Sequence, residues 1–108
     1  MVQTPTKTTL RKYGLSEAEW RALLDDQKGV CFVCGKEPTK GRLCIDHEHV
    51  KLWKKLPPEQ RKLFVRGLLC WVCNSHYLFR GITTERSKNV TLYLEKYAAR
   101  RPVLPLGK

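Results

Sequence analysis

The sequence predicts a small α+β domain, on three observations. Two helical stretches flank a short alternating strand; four of the five cysteines fall into two CxxC pairs, Cys31/Cys34 and Cys70/Cys73; and the polar tetrad Asp46-His47-Glu48-His49 lies between those pairs. A chain of 108 residues forms one domain, near the size at which an apolar core alone gives marginal stability and a bound metal or disulfides help.

The elements follow in order. Residues 1–14 are rich in Thr, Lys and Arg with little periodicity, which predicts a flexible or loosely docked basic arm. Ser16 and Glu19 form a capping box, and Trp20, Leu23 and Leu24 recur at helical spacing before Gly29, predicting a helix over 17–28. Gly35, just after Cys34, permits the left-handed backbone that a knuckle turn needs. Leu43 and Ile45 alternate within 42–46, the best strand candidate. Residues 51–66 carry six Lys or Arg against the single acid Glu59 and are broken by Pro57-Pro58, so they read as an exposed basic loop with a turn of helix after the prolines. Asn74 is expected to open a short helix through residue 79, stopped by Gly81. Val90, Leu92, Tyr93, Leu94, Tyr97 and Ala98 give an amphipathic helix over 86–99 with Ser87 as its cap, and 100–108, with two prolines, is a non-helical tail. The core domain is thus expected at 15–99.

Paired CxxC turns present four soft thiolates, the ligand set of a closed tetrahedral Zn²⁺ site. The polar N-terminus lacks an apolar signal segment; a reducing, intracellular setting follows, where such pairs favour metal over disulfide. A redox CxxC would need only one pair. Cys44 reads as a buried small hydrophobe. The formal charge of +11 implies an anionic partner, with nucleic acid leading. No apolar run approaches the roughly 20 residues that cross a bilayer, and no long basic amphipathic helix suits a lipid surface.

A filled four-sulfur site has no open position, so chemistry must come from the tetrad and Asn74. Phosphodiester hydrolysis needs a nucleophilic water, relief of phosphoryl charge and a stabilised leaving alkoxide. His47 can take a proton from water at neutral pH. Asp46 and Asn74 offer oxygen ligands to a cation such as Mg²⁺ or Mn²⁺. Neighbours on a strand point to opposite faces, so Asp46 and His47 diverge unless the strand ends and bends there. Other roles are open to each: Asp46 as a turn residue, His47 and His49 as a solvated pair or zinc ligands, and Asn74 as a helix cap. His76 lies two residues past Asn74, which on a helix points it away from the face of Asn74 and argues against a role as a second metal ligand. Glu48 and His49 can position phosphate, metal or His47, and the residues do not rank these.

The segments Cys31-Phe32-Val33-Cys34-Gly35, Ile45-Asp46-His47-Glu48-His49 and Arg66-Gly67-Leu68-Leu69-Cys70-Trp71-Val72-Cys73-Asn74 closely resemble the recombination endonuclease VII family, a branch of the HNH or ββα-metal nucleases. The resemblance covers about residues 15–81. It implies a zinc-stabilised ββα-metal (His-Me finger) domain with flanking helices, in which Asp46 and Asn74 bind Mg²⁺ and His47 is the general base. It also implies cleavage that leaves 5′-phosphate and 3′-hydroxyl ends, and a phage or prophage origin. The 51–64 stretch is longer and more basic than the turn usual in the family. The short tail after the last helix lacks the region that builds the interlocked dimer of junction-resolving members, and resolution needs two sites at a fixed separation. The expectation is therefore a nicking or broadly cutting DNA endonuclease, monomeric or weakly dimeric. Lys51, Lys54, Lys55, Arg61, Lys62 and Arg66 are expected at phosphates. The competing reading is a non-enzymatic zinc ribbon that binds nucleic acid; only Asp46, His47 and Asn74 separate the two.

Overall fold

The computed structural model describes residues 2–76 and 84–102. Its first element adds a helix to the basic arm, flexible or loosely docked, expected over 1–14. Residues Lys7–Tyr13 form helix α1, capped where the Thr6 side chain accepts from the Thr9 amide at 3.2 Å, and Leu10 is buried in the core. Leu10 is the single buried residue of that helix, so periodicity did not reveal it. Gly14 ends α1 at φ 73°, and a Cβ there would lie 1.9 Å from the Pro58 carbonyl oxygen. Only glycine allows both this turn and this approach.

Helix α2 spans Glu17–Asp26 behind the expected box: Ser16 Oγ accepts from the Glu19 amide at 3.0 Å, and Glu19 Oε1 accepts from the Ser16 amide at 2.9 Å. It stops two residues short of expectation, because Lys28 and Gly29 both have positive φ. Trp20 is wholly buried on its inner face. Gln27, just past α2, is also buried; its amide donates to the Leu68 carbonyl at 2.8 Å and accepts from the Leu68 amide at 2.9 Å. The side chain thereby satisfies an edge that a third strand would otherwise cover.

Strand β1, Cys44–His47, pairs antiparallel with β2, Val65–Leu69. Asp46 faces Gly67 but His47 faces Val65, so the ladder shifts by one residue and Arg66 is the extra residue of a bulge. Between the strands, the turn of helix expected after Pro57-Pro58 forms, and the rest of 51–64 is more structured than an exposed loop. The segment holds a 3₁₀ turn at Trp53–Lys55, helix α3 at Pro58–Arg61 and a second 3₁₀ turn at Lys62–Phe64. Trp53 and Phe64 are buried. Two aromatics in a basic run were enough to dock it, since each buries far more apolar area than the lysines forgo.

Helix α4, Trp71–His76, begins directly after Cys70. Asn74 sits inside it, its amide donating to the Cys70 carbonyl at 2.9 Å, which removes the reading of Asn74 as the N-cap. The expected end of this helix at 79 and its stop at Gly81 lie outside the described residues, as does most of the 100–108 tail. Helix α5, Thr84–Ala98, begins earlier than expected and takes Ser87 into its interior. Tyr93 and Tyr97 are buried, whereas Leu92 is 56 % exposed and Leu94 39 % exposed. The inward stripe is therefore narrower than the apolar pattern implied.

Candidate functional site

The sulfur atoms of Cys31, Cys34, Cys70 and Cys73 all lie within 4.8 Å of one another, with Cys34 and Cys70 3.9 Å apart. A tetrahedral Zn²⁺ with sulfur at 2.3 Å requires edges of about 3.8 Å, so the donor set fits that ion. Burial pushes the Cys31 and Cys73 thiols up, and neighbouring sulfur charge adds to this. A divalent cation removes that penalty. The first pair is held by a knuckle in which Gly35, at φ 72°, donates to the Cys31 carbonyl at 2.9 Å. The second pair bridges β2 and α4. Cys44 stays outside the cluster and is half-buried rather than buried.

Past the cluster, β1 carries Asp46 into a polar network. Its Oδ2 accepts from Arg66 Nε at 2.7 Å and from the Tyr93 hydroxyl at 2.7 Å, and Oδ1 accepts from Arg66 Nη2 at 3.2 Å. Asp46 is 6 % exposed, and these bonds answer the cost of burying its charge. The Tyr93 hydroxyl is pushed up, chiefly by burial and then by Asp46, so it stays a donor. A Cβ on Gly67 would come within 2.7 Å of the Tyr93 ring; the glycine opposite Asp46 is what lets the ring in.

His47 turns the other way. Its ring stacks on Trp53 with centroids 4.2 Å apart and on His49 at 4.7 Å, and meets Tyr13 edge-on at 5.4 Å. Burial among these rings holds His47 well below its ordinary value, at about 4, with the charge of His49 adding to the effect and Asp46 opposing it. It is neutral at physiological pH. The bulge does not bring Asp46 and His47 onto one face; strand alternation keeps them apart as it must, and His49 links their two sides.

His49, Asp46, Asn74, Arg66 and Tyr93 line one pocket of about 190 Å³. Asn74 is exposed at its rim. Carboxylate and amide oxygens there suit a hard cation, since among the described residues Oδ1 of Asp46 accepts one bond, from Arg66, and a carboxylate oxygen has two lone pairs. Glu48 faces α5 instead, where Tyr97 donates to Oε1 at 2.7 Å and Arg101 donates to both oxygens at 2.9 and 2.6 Å. It anchors the strand end. The His76 side chain lies outside the described residues.

The basic segment divides. Lys51, Lys54 and Lys55 are exposed. Lys62 pairs with Glu19 at 2.8 Å, Arg61 lies over the Trp53 ring at 5.6 Å, and Arg66 is bound to Asp46. Among the described residues no helix is long and apolar enough to cross a membrane.

The family model for recombination endonuclease VII matches residues 6–96. The chain belongs to the recombination endonuclease VII family. Similar proteins include the Gene 59 protein of Mycobacterium phage D29, 34 % identical over 70 residues, which are 64 % of this chain and 36 % of that protein. The Gene 59 protein of Mycobacterium phage L5 is 33 % identical over the same shares. The chain thus spans about a third of the length of these curated relatives. No solved structure matches it. The matched region runs from the cap of α1 to within α5, so this endonuclease VII relative includes in its family region the helices that hold Tyr13 and Tyr93. Sequence reasoning missed both, together with Trp53, Tyr97 and Arg101, as parts of the site. Two tyrosines four residues apart on an inward helical face were the available signal, since buried phenols need acceptors.

Proposed function

We propose that this protein is a metal-dependent DNA endonuclease in which β1, β2 and α4 form a ββα-metal unit of HNH type stapled by zinc. The observation that carries the reading is the convergence of Asp46, His49 and Asn74 on one pocket while His47, stacked on His49, stands neutral beside it. A zinc ribbon that only binds nucleic acid has no use for a buried carboxylate held by three hydrogen bonds.

In this mechanism Asp46 and Asn74 would hold Mg²⁺ or Mn²⁺ through oxygen. The chemistry supplied by such an ion, held there, would be relief of charge on a phosphoryl oxygen and on the leaving alkoxide. Tyr93 and Arg66 fix the Asp46 carboxylate so that Oδ1 presents its second lone pair to the pocket. His47 accepts the proton of the attacking water; Trp53 and His49 on its two sides fix the ring plane, which limits the nitrogen to one line of approach. His49 stands between base and pocket, within reach of phosphate. Lys51, Lys54 and Lys55 lie on the exposed side and meet the DNA backbone. Products carry 5′-phosphate and 3′-hydroxyl ends.

The test is cleavage of supercoiled plasmid with Mg²⁺, with Mn²⁺ and without either, by wild type and His47→Ala. Metal-dependent nicking or linearisation that is lost in a folded, zinc-loaded His47→Ala protein is the expected result. Cutting by the variant at the wild-type rate would overturn the role of His47, and no conversion by a folded, zinc-loaded wild type with either metal would leave the binding module.

A further inference from the structure

A second pocket, of about 590 Å³, opens beside the zinc cluster and is lined by Trp71, Val72 and Pro38 together with Lys36, Lys40 and Arg42. Trp71 is 61 % exposed, although it immediately follows a zinc-cluster cysteine in the core of the fold. Trp20 and Trp53 are both buried, so this large apolar ring at the surface is an exception to the pattern of its own chain. Among the described residues, four cations, Lys36, Lys40, Arg42 and Arg86, line the pocket against the single carboxylate Glu37. An apolar floor with an aromatic face, rimmed by cations, matches a nucleotide: the base on the ring and the phosphate on the rim.

The pocket is also joined to the candidate active site. Arg42 and Cys44 line both it and a cleft of about 410 Å³ that reaches Asn74, and Asn74 lines the Asp46 pocket. Trp71 and Asn74 belong to the same helix, separated by about 4.5 Å of axial rise. Stacking needs a free base face, which a paired base inside a duplex does not offer.

We infer that this pocket is a subsite for an unpaired nucleotide of single-stranded DNA, stacked on the Trp71 indole with its phosphate at Lys36, Lys40 and Arg42. The inference rests on the nuclease reading and deepens it, placing an unpaired nucleotide next to the strand that is cut. An apolar protein partner fits the floor but not the ring of cations, and net charge of +11 favours the polyanion.

The test uses the full chain, zinc-loaded and without added Mg²⁺, titrated with single-stranded oligodeoxythymidylate of about ten nucleotides, within the span such sites cover. Tryptophan emission should be quenched, since Trp71 is the exposed indole. Trp71→Ala should bind about tenfold more weakly, Trp71→Phe should recover most of the affinity, and the penalty should be larger on the oligomer than on a blunt duplex of equal length. Equal loss on both, or no loss on the oligomer, would overturn the subsite. Tighter binding of oligouridylate would overturn the assignment to DNA. These readouts need no cleavage. Stacking without plasmid cutting would therefore fault the nuclease reading alone, and cutting without stacking would fault the subsite alone.

Discussion

Tyr93 donates its hydroxyl to Asp46 Oδ2 at 2.7 Å, and one helical turn later Tyr97 donates to Glu48 Oε1 at the same distance. The repeat is geometric. Residues four apart on a helix are about 6 Å apart along its axis, and residues two apart on an extended strand about 6.6 Å, so one face of α5 meets alternate carboxylates of the tetrad. The face that holds Asp46 and Glu48 is thereby separated from the face on which His47 stacks.

Replacing Tyr93 with Phe should keep the ring beside Gly67 and remove only the donor. The loss of one hydrogen bond to a charged group should cost about 1.5–3 kcal/mol of stability, read as a lowered midpoint in urea. Because the carboxylate also loses an orienting partner, Mn²⁺ affinity should fall by about tenfold or more, read by titration calorimetry. Unaltered Mn²⁺ affinity would deny Tyr93 any part in holding the metal ligand.

The depressed value of His47, about 4 against an ordinary 6.5, sets a pH dependence with a definite sign. The folded state binds fewer protons than the unfolded chain between those two values, so stability is fully present above pH 6.5 and is lost progressively as pH falls towards 4. Denaturation midpoints measured across that range should decline in wild type and decline less in His47→Asn. Cleavage should persist at pH 6, where His47 is still neutral and able to accept a proton. A cleavage rate that already halves near 6.5 would indicate an imidazole with its ordinary value.

Cys73→Ser should abolish stoichiometric zinc and the cooperative melt, because the ligands come from two distant segments and the ion's binding free energy is folding free energy. Cys44→Ser, outside the cluster, should retain both. Elemental analysis alongside circular dichroism would decide, and a Cys73→Ser protein that folds with a full zinc complement would exclude the four-sulfur site.

Neutralising Lys54 and Lys55 together should lower the slope of log affinity for duplex DNA against log salt by about 2, one counterion for each lost phosphate contact. Both side chains are exposed. Arg61 and Lys62 are held by Trp53 and Glu19, so neutralising them should change stability more than the slope. An unchanged slope in the Lys54/Lys55 variant would remove that turn from the DNA interface.

Local pattern was enough to read the capping box at Ser16 and Glu19, the short strand, expected over 42–46 and formed two residues later at its start and one later at its end, and the clustering of four cysteines, because each depends on residues close in sequence or on ligand chemistry that few other residue types provide. Arg66 could be read only as a cation: its bond to Asp46 depends on the bulge that offsets β2 by one residue, and no local propensity encodes that offset. Trp53 read as part of a basic loop for the same reason, since its burial requires Tyr13 and His47 from two other segments. The ligand types and the candidate base are thus properties of the chain's order of residues. Which face each of them takes, and which partners neutralise or desolvate them, came from tertiary packing that sets Tyr13 and Trp53 against His47 and Tyr93 of α5 against Asp46. Burial and hydrogen bonding between distant segments leave no periodic trace in either segment alone.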